Sequence, residues 1–94
     1  MNYADTVERV MALLKERKVC SSSRKSHRDC YESLGLYLTR NNTEYTAKSH
    51  DEWFIEIKKK LPSQRCLIWI WYAYQLEEMD SSGTLSDRSL YLNQ

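Results

Sequence analysis

The sequence has few residues that break helices or form tight turns. Its 94 residues include only two glycines, Gly35 and Gly83, and one proline, Pro62. A sheet protein of this length would normally carry more turn residues, so their scarcity favours helices. Two isolated glycines also cannot form the glycine-rich loop that holds phosphate in many nucleotide-binding proteins. The length fits a single domain with one hydrophobic core.

The cysteines are few and do not form a recognisable framework. Cys20, Cys30 and Cys66 are odd in number and widely spaced, which predicts reduced thiols rather than disulfides. The spacing of Cys20, His27 and Cys30 is not a zinc pattern, and no closely spaced cysteine pair is present. We therefore expect no metal and no other cofactor, and we interpret Cys30 as a small buried thiol.

Catalytic and membrane-spanning motifs are also missing. A nucleophile needs an adjacent base and an orienting group, and neither His27 nor His50 lies in such a motif. We expect no enzymatic activity and no small-molecule substrate. The first ten residues carry charges where a signal peptide would be apolar. Because the longest apolar run, residues 66–74, is shorter than the about 20 residues of a membrane-spanning helix, we predict a cytoplasmic protein without a membrane partner.

Apolar residues recur at helical spacing in several parts of the chain. Serines and threonines precede these parts, as N-caps often do, and Pro62 separates the last two. The sequence therefore predicts an all-α bundle of four helices. The predicted helices cover residues 4–18, 24–41, 47–61 and 64–79.

The fourth segment is apolar almost all round at its centre, which is typical of a helix surrounded by other helices. Its β-branched and aromatic residues also fit a buried strand. We favour a helix, because a lone strand would have no partner. Trp71 lies on the side shared by Gln64 and Gln75, where it could reach the surface or a partner. A turn at Gly83 and an apolar anchor at Leu85 are predicted to follow.

Positive charge is concentrated in one part of the chain, although the net charge is only +1. Residues 15–28 include six basic residues and one acid, Glu16. Arg24 and Arg28 are predicted to project from the face opposite the core, near a helix start that favours phosphate. A solvated charged face fits these residues equally well. The predicted DNA-binding residues are Ser22, Ser23, Arg24, Lys25, Arg28, Lys48, Gln64 and Arg65.

The second segment resembles the core-binding, SAM-like domain of tyrosine recombinases and phage integrases. That family has a Ser, a Thr, an aromatic residue, a Leu and a second aromatic residue at fixed intervals. Residues 41–60 are similar to the family's polar connector and next helix, and the resemblance covers roughly residues 5–86. The motif reads here Ser23, Ser26, Cys30, Leu34 and Tyr37, with Ser26 in place of the usual Thr and Cys30 in place of the usual Tyr.

The resemblance implies a SAM-like orthogonal bundle over residues 1–86, with residues 87–94 as a linker toward an absent catalytic domain. It implies that the second and fourth helices face double-stranded DNA, while the absent domain carries the catalytic Arg, Lys, His and nucleophilic Tyr. No tyrosine of this chain corresponds to that nucleophile. The implied protein partners are the catalytic domain of the parent chain and other recombinase protomers. The parent would be a bacterial, phage or mobile-element integrase, nucleoid-associated when bound, and this chain its amino-terminal domain.

Two other functions fit the same residues. A helical protein-interaction module would use the apolar fourth helix and Trp71 as its partner surface. A helix-turn-helix regulator would need a short recognition helix, and no predicted segment is clearly that short.

Overall fold

Four helices account for most of residues 2–86, the part of the chain that the structure, a computed structural model, describes. No strand occurs in this part, so the all-α prediction is confirmed and the strand alternative for the fourth segment is excluded. The predicted linker, residues 87–94, lies outside it. The helices are α1 (Tyr3–Glu16), α2 (Ser21–Arg40), α3 (Ala47–Lys60) and α4 (Ser63–Ser82).

The hydrophobic core lies between α4 and the other three helices, all of which contact it. Leu14, Leu34, Trp53 and Leu76, one from each helix, are fully buried. The rings of Trp53 and Trp69 stack with their centroids 6.3 Å apart. None of the helices described is long and apolar enough to cross a bilayer.

Burial on α2 differs in part from the predicted pattern. Cys30 and Leu34 are buried as predicted, but His27 and Tyr31 are buried as well. Each of these polar rings makes a hydrogen bond to a backbone carbonyl, which offsets part of the cost of removing it from water. The Tyr31 hydroxyl donates to the carbonyl oxygen of Tyr72 at 2.9 Å, and His27 Nδ1 is 2.7 Å from a carbonyl oxygen one turn earlier.

The four helices begin in two different ways. The Asn2 side chain caps the start of α1, and Thr46 and Ser49 form a reciprocal capping box at the start of α3. At the starts of α2 and α4 the N-cap residues are Cys20 and Pro62, and neither makes a side-chain capping hydrogen bond. The first backbone N–H groups of these two helices therefore face solvent, a ligand or, at α2, the weakly accepting thiol of Cys20.

The same two helices begin earlier than predicted. Residues 21–23, expected to break the chain and cap α2, instead form its first turn. Ser63, expected to cap α4, is its first helical residue, and α4 continues to Ser82, beyond its predicted end. Serine fits a first turn because the N–H groups there need no intrahelical partner. The prediction that Thr46 or Ser49 caps α3 is confirmed.

The end of α4 follows the sequence prediction closely. Gly83 has a φ of 77°, in the left-handed region that favours glycine, and its N–H donates to the carbonyl oxygen of Met79 at 2.9 Å. Leu85 is buried in the core just beyond. The turn at Gly83 and the anchor at Leu85 are both confirmed.

Candidate nucleic-acid interface

The start of α2 lies against α4 at Tyr72. The Tyr72 ring stacks on His27 of α2 with centroids 3.7 Å apart. Burial raises the pKa of the Tyr72 phenol, and the Ser23 hydroxyl and the positive charge of Arg65 oppose this by lowering it. Because Ser22 precedes Ser23 and Gln64 precedes Arg65 in the chain, four of the predicted residues lie in this region. We call this region the α2–α4 junction, and its residues are Ser22, Ser23, Gln64, Arg65 and Tyr72.

A second part of the predicted site lies between α1 and α2. Arg24, Lys25 and Arg28 line a shallow groove of about 440 Å³, together with Lys15. Glu8 is the one carboxylate in its lining. We call this feature the α1–α2 groove, and its lining carries more positive than negative charge.

The two arginines of the groove do not stand clear of the protein as predicted. Arg24 is half-buried, and its Nε donates to the carbonyl oxygen of Val19 at 3.1 Å. The Arg28 guanidinium pairs with Glu8 of α1, with Nη1 and Oε1 3.1 Å apart. The helical pattern of α2 alone shows neither contact, because both partners come from α1 or from the turn that follows it.

The ion pairs at this groove are exposed. Lys25 Nζ lies 3.1 Å from Asp29 Oδ2, and both side chains are largely in solvent. Exposed pairs of this kind contribute about 0–1 kcal/mol, so Lys25 or Arg28 can exchange its carboxylate for a phosphate oxygen at little cost. Lys15 has no carboxylate partner among residues 2–86. The groove therefore retains positive charge that an anion can use.

Lys48, also predicted for this site, lies at the other end of α4. Its Nζ is 3.9 Å from Glu52, and nearby His50 is 3.1 Å from Glu77 near the end of α4. Glu77 is about 18 Å from Arg65 along the helix, at about 1.5 Å per residue. The structure thus places seven predicted residues near the starts of α2 and α4 and separates Lys48 from them.

His27 forms the inner wall of the junction, and sequence reasoning did not assign it a role. Its ring stacks on Tyr72 with centroids 3.7 Å apart, and its Nδ1 is 2.7 Å from the Ser23 carbonyl oxygen. Burial lowers the pKa of His27 more than its hydrogen bonds to Ser23 and Gln75 raise it. The neutral ring therefore donates from Nδ1. The spacing of four residues between Ser23 and His27 was the available signal.

Cys20, the N-cap of α2, reports on the electrostatics of this helix start. The thiol is exposed, and its Sγ lies 3.4 Å from the Ser22 hydroxyl. Its pKa is lowered, first by that hydroxyl and then by the backbone N–H of Ser23. A thiolate is thus stabilised by the donors that would stabilise a bound phosphate.

A larger surface cavity than the α1–α2 groove is a different feature. It measures about 1250 Å³ and is lined by parts of α1 and α2, by the segment before α3, which includes Tyr45, and by Asp80 of α4. No cation lines it, which makes it unsuited to a phosphate. Within residues 2–86, no cluster of three or more His, Cys, Asp or Glu side chains is arranged to hold a metal ion.

Comparison with family models, with curated proteins and with solved structures finds no match to this chain. The described residues define an all-α four-helix bundle with a basic groove between α1 and α2, and the starts of α2 and α4 have no side-chain cap. Their chemistry suits contact with an anion.

Proposed function

We propose that this chain is a double-stranded DNA-binding domain, the SAM-like amino-terminal domain of a tyrosine recombinase or phage integrase. The observation that carries the proposal is the uncapped start of α2, which lies against α4 and beside a groove lined by four cations. Helix-start N–H groups and basic side chains are common donors to DNA phosphates. The resemblance assigns the DNA-facing side to the second and fourth helices, which supply this junction.

The two regions would share the DNA contact. Lys15, Lys25 and Arg28 supply point charges or bidentate contacts to phosphates along the α1–α2 groove. Ser23 and the first N–H groups of α2 add neutral donors at its end. Arg65 supplies a guanidinium that can contact either a phosphate or a base edge. In this proposal the domain positions the DNA in the cytoplasm, and a separate catalytic domain cuts and joins the strands.

Binding by this domain alone should be weak and dependent on salt. Non-specific contacts of this type give a Kd of about 10⁻⁴ to 10⁻⁶ M at physiological salt. Each phosphate contact releases counterions, so the slope of binding against salt concentration counts the contacts.

Arg65→Ala tests the α2–α4 junction. Loss of one phosphate contact should lower the affinity for a labelled duplex about three- to tenfold and reduce the salt slope by about 1. Lys48→Ala removes the same charge at the other end of α4 and should leave binding unchanged. The measurement is fluorescence anisotropy between about 50 and 200 mM salt. Equal losses in the two variants would contradict the proposed interface.

Glu8→Ala tests the α1–α2 groove by removing a negative charge, which should strengthen binding rather than weaken it. It releases Arg28 from its ion pair and should raise the affinity for the duplex about two- to fivefold. Glu44→Ala makes the same change in charge beside the large cavity and should have a smaller effect. Unchanged or weaker binding by Glu8→Ala would show that Arg28 does not contact the DNA.

A helical protein-interaction module is the second candidate, and the exposure of Trp71 favours it. Trp71 is 43% exposed, and Leu67, Ile68 and Tyr74 beside it on α4 are also exposed. Large apolar side chains grouped on one surface often mark an interaction site. This surface is separate from the α1–α2 groove, so the two functions can be tested independently.

A further inference from the structure

One face of α4 is apolar but not covered by the rest of the chain. Leu67, Ile68, Trp71 and Tyr74 follow one another at helical spacing, and each is more than 40% exposed. The opposite face, which includes Trp69 and Leu76, is buried. We call the exposed set the apolar α4 face. It occupies the centre of the helix, with polar residues at both ends.

A groove between α3 and α4 extends this surface. Its volume is about 400 Å³, and Phe54, Leu61, Leu67 and Ile70 line it. Leu67 belongs both to the apolar α4 face, which forms a ridge, and to the groove beside it. Ridge and groove therefore form one continuous apolar surface. Lys58 stands at the rim with its Nζ 4.9 Å from the centre of the Phe54 ring. A ridge beside a groove is a shape that a rotated copy of itself can fill.

Charges of opposite sign lie at the two ends of this apolar surface. Lys58 marks the end that contains the groove, near the start of α4. Glu77 and Asp51, both near His50, mark the other end. Two copies related by a two-fold axis and packed with their α4 helices antiparallel would place Lys58 of one opposite Glu77 of the other. A parallel arrangement would place like charges together, which is unfavourable.

We infer that a second copy of this chain packs antiparallel on the apolar α4 face to form a two-fold dimer. This inference rests on the second candidate function and names its partner. With the axis near Trp71, the two Trp71 rings meet and Ile68 lies opposite Tyr74 of the second copy. The predicted contact is centred on aromatic anchors with charged residues at its rim, the usual anatomy of a specific interface.

Sedimentation equilibrium from about 5 to about 500 µM covers the affinities expected of a small interface. The inference predicts self-association of the full chain, weakened at least tenfold by Trp71→Glu. Leu36→Glu is the matched control, because Leu36 is a still more exposed apolar residue on a different helix. A wild-type chain that stays monomeric, or an equal effect of both substitutions, overturns the inference. Circular dichroism establishes that both variants are folded.

Disulfide trapping tests the antiparallel direction. Ile68→Cys and Tyr74→Cys are each made with Cys20→Ser, since Cys20 is the exposed cysteine among the three. When the two proteins are mixed and oxidised, the mixed disulfide should form in excess over both symmetric ones. An excess of the symmetric products would overturn the antiparallel arrangement.

Charge reversal tests the same geometry without a new bond. Lys58→Glu should weaken self-association severalfold, and adding Glu77→Lys should restore it. Lys59→Glu makes the same change in the same turn of α3 but outside the groove, so it should have less effect. Failure of the double variant to recover, while it stays folded, overturns the predicted pairing.

The two proposals can fail separately. Trp71 lies outside the α2–α4 junction and the α1–α2 groove. The inference therefore predicts that the monomeric Trp71→Glu variant still binds duplex DNA. Self-association without DNA binding would count against the DNA proposal alone. A monomeric wild type that binds DNA would overturn the dimer alone.

Discussion

The starts of α1 and α3 differ from the starts of α2 and α4. In the first pair, Asn2 and the Thr46–Ser49 box bond to the first N–H groups. In the second pair, Cys20 and Pro62 occupy the N-cap positions without such bonds. A side-chain cap contributes about 1 kcal/mol to the free energy of unfolding, and the starts of α2 and α4 each lack this contribution.

This difference supports the location proposed for the DNA contact. Departures from the local rules of helix design are expected mainly at functional or strained sites. The start of α2 meets Tyr72 of α4 and adjoins the basic α1–α2 groove. The capped start of α3 lies near the acidic end of α4 instead. A phosphate at the start of α2 would supply stronger acceptors than the weakly accepting Cys20 thiol at its N-cap.

The largest effect expected from this comparison is in cysteine reactivity. Cys20 is exposed with a lowered pKa, whereas burial raises the pKa of Cys30. Cys20 should react with iodoacetamide on the order of 100-fold faster than Cys30 or Cys66, because the buried thiols require local opening. Peptide mass spectrometry over a time course measures this ratio. Comparable rates for all three thiols would contradict the burial of Cys30 and Cys66 and the exposure of Cys20.

The alkylation experiment also reports on DNA. If duplex DNA occupies the start of α2, it should slow the alkylation of Cys20. A single-site marker far from the junction, such as acetylation of Lys48, should be unaffected. If duplex DNA leaves the alkylation rate of Cys20 unchanged, the DNA contact does not include the start of α2.

The next effect concerns pH and His27, which lies inside the junction. Because folding lowers the pKa of His27, the unfolded chain binds this proton more tightly. Its contribution to stability is therefore complete above about pH 6.5, the ordinary value for histidine, and is lost as the pH falls below it. The slope should be at most about 1.4 kcal/mol per pH unit.

Denaturant unfolding at several pH values, with NMR titration of the His27 ring, measures this effect. His27→Gln should show a smaller loss of stability between neutral and mildly acidic pH. His50 is present in both proteins and cancels in the comparison. An NMR pKa for His27 at or above the ordinary value would contradict the burial seen here.

The smallest effect is at the capped start of α3. Thr46→Ala removes the side chain that accepts from the Ser49 N–H and should lower the free energy of unfolding by about 1 kcal/mol. Thr43→Ala is the matched control, because the Thr43 side chain makes no hydrogen bond among the described residues. Thermal or denaturant unfolding separates the two. Equal free energies of unfolding for the two variants would show that the Thr46 cap does not stabilise the start of α3.

Several features were predictable from local sequence. The four helices follow from apolar spacing, the cap of α3 from Thr46, and the end of α4 from Gly83. The burial of Cys30 follows from its place in the α2 pattern. Each depends on residues within one or two turns of each other, where backbone chemistry and periodicity are sufficient.

The site was less predictable, because its contacts cross between helices. Nothing near Arg28 in the sequence indicates Glu8 as its partner, and nothing near Lys48 indicates its distance from Arg65. The pattern of α2 also did not show that Arg24 would bond to the end of the α1–α2 turn. These facts depend on which helices pack together and in which direction.

The amino-acid sequence by itself determined that this chain forms helices, where they begin and end to within a few residues, and that its basic residues cluster early. Only the tertiary structure decided which side of α4 stays uncovered: Trp69 is buried and Trp71 exposed, although both are tryptophans in one apolar run. The physical reason is that three neighbouring helices cannot surround a fourth completely, and packing rather than side-chain polarity selects the side left open.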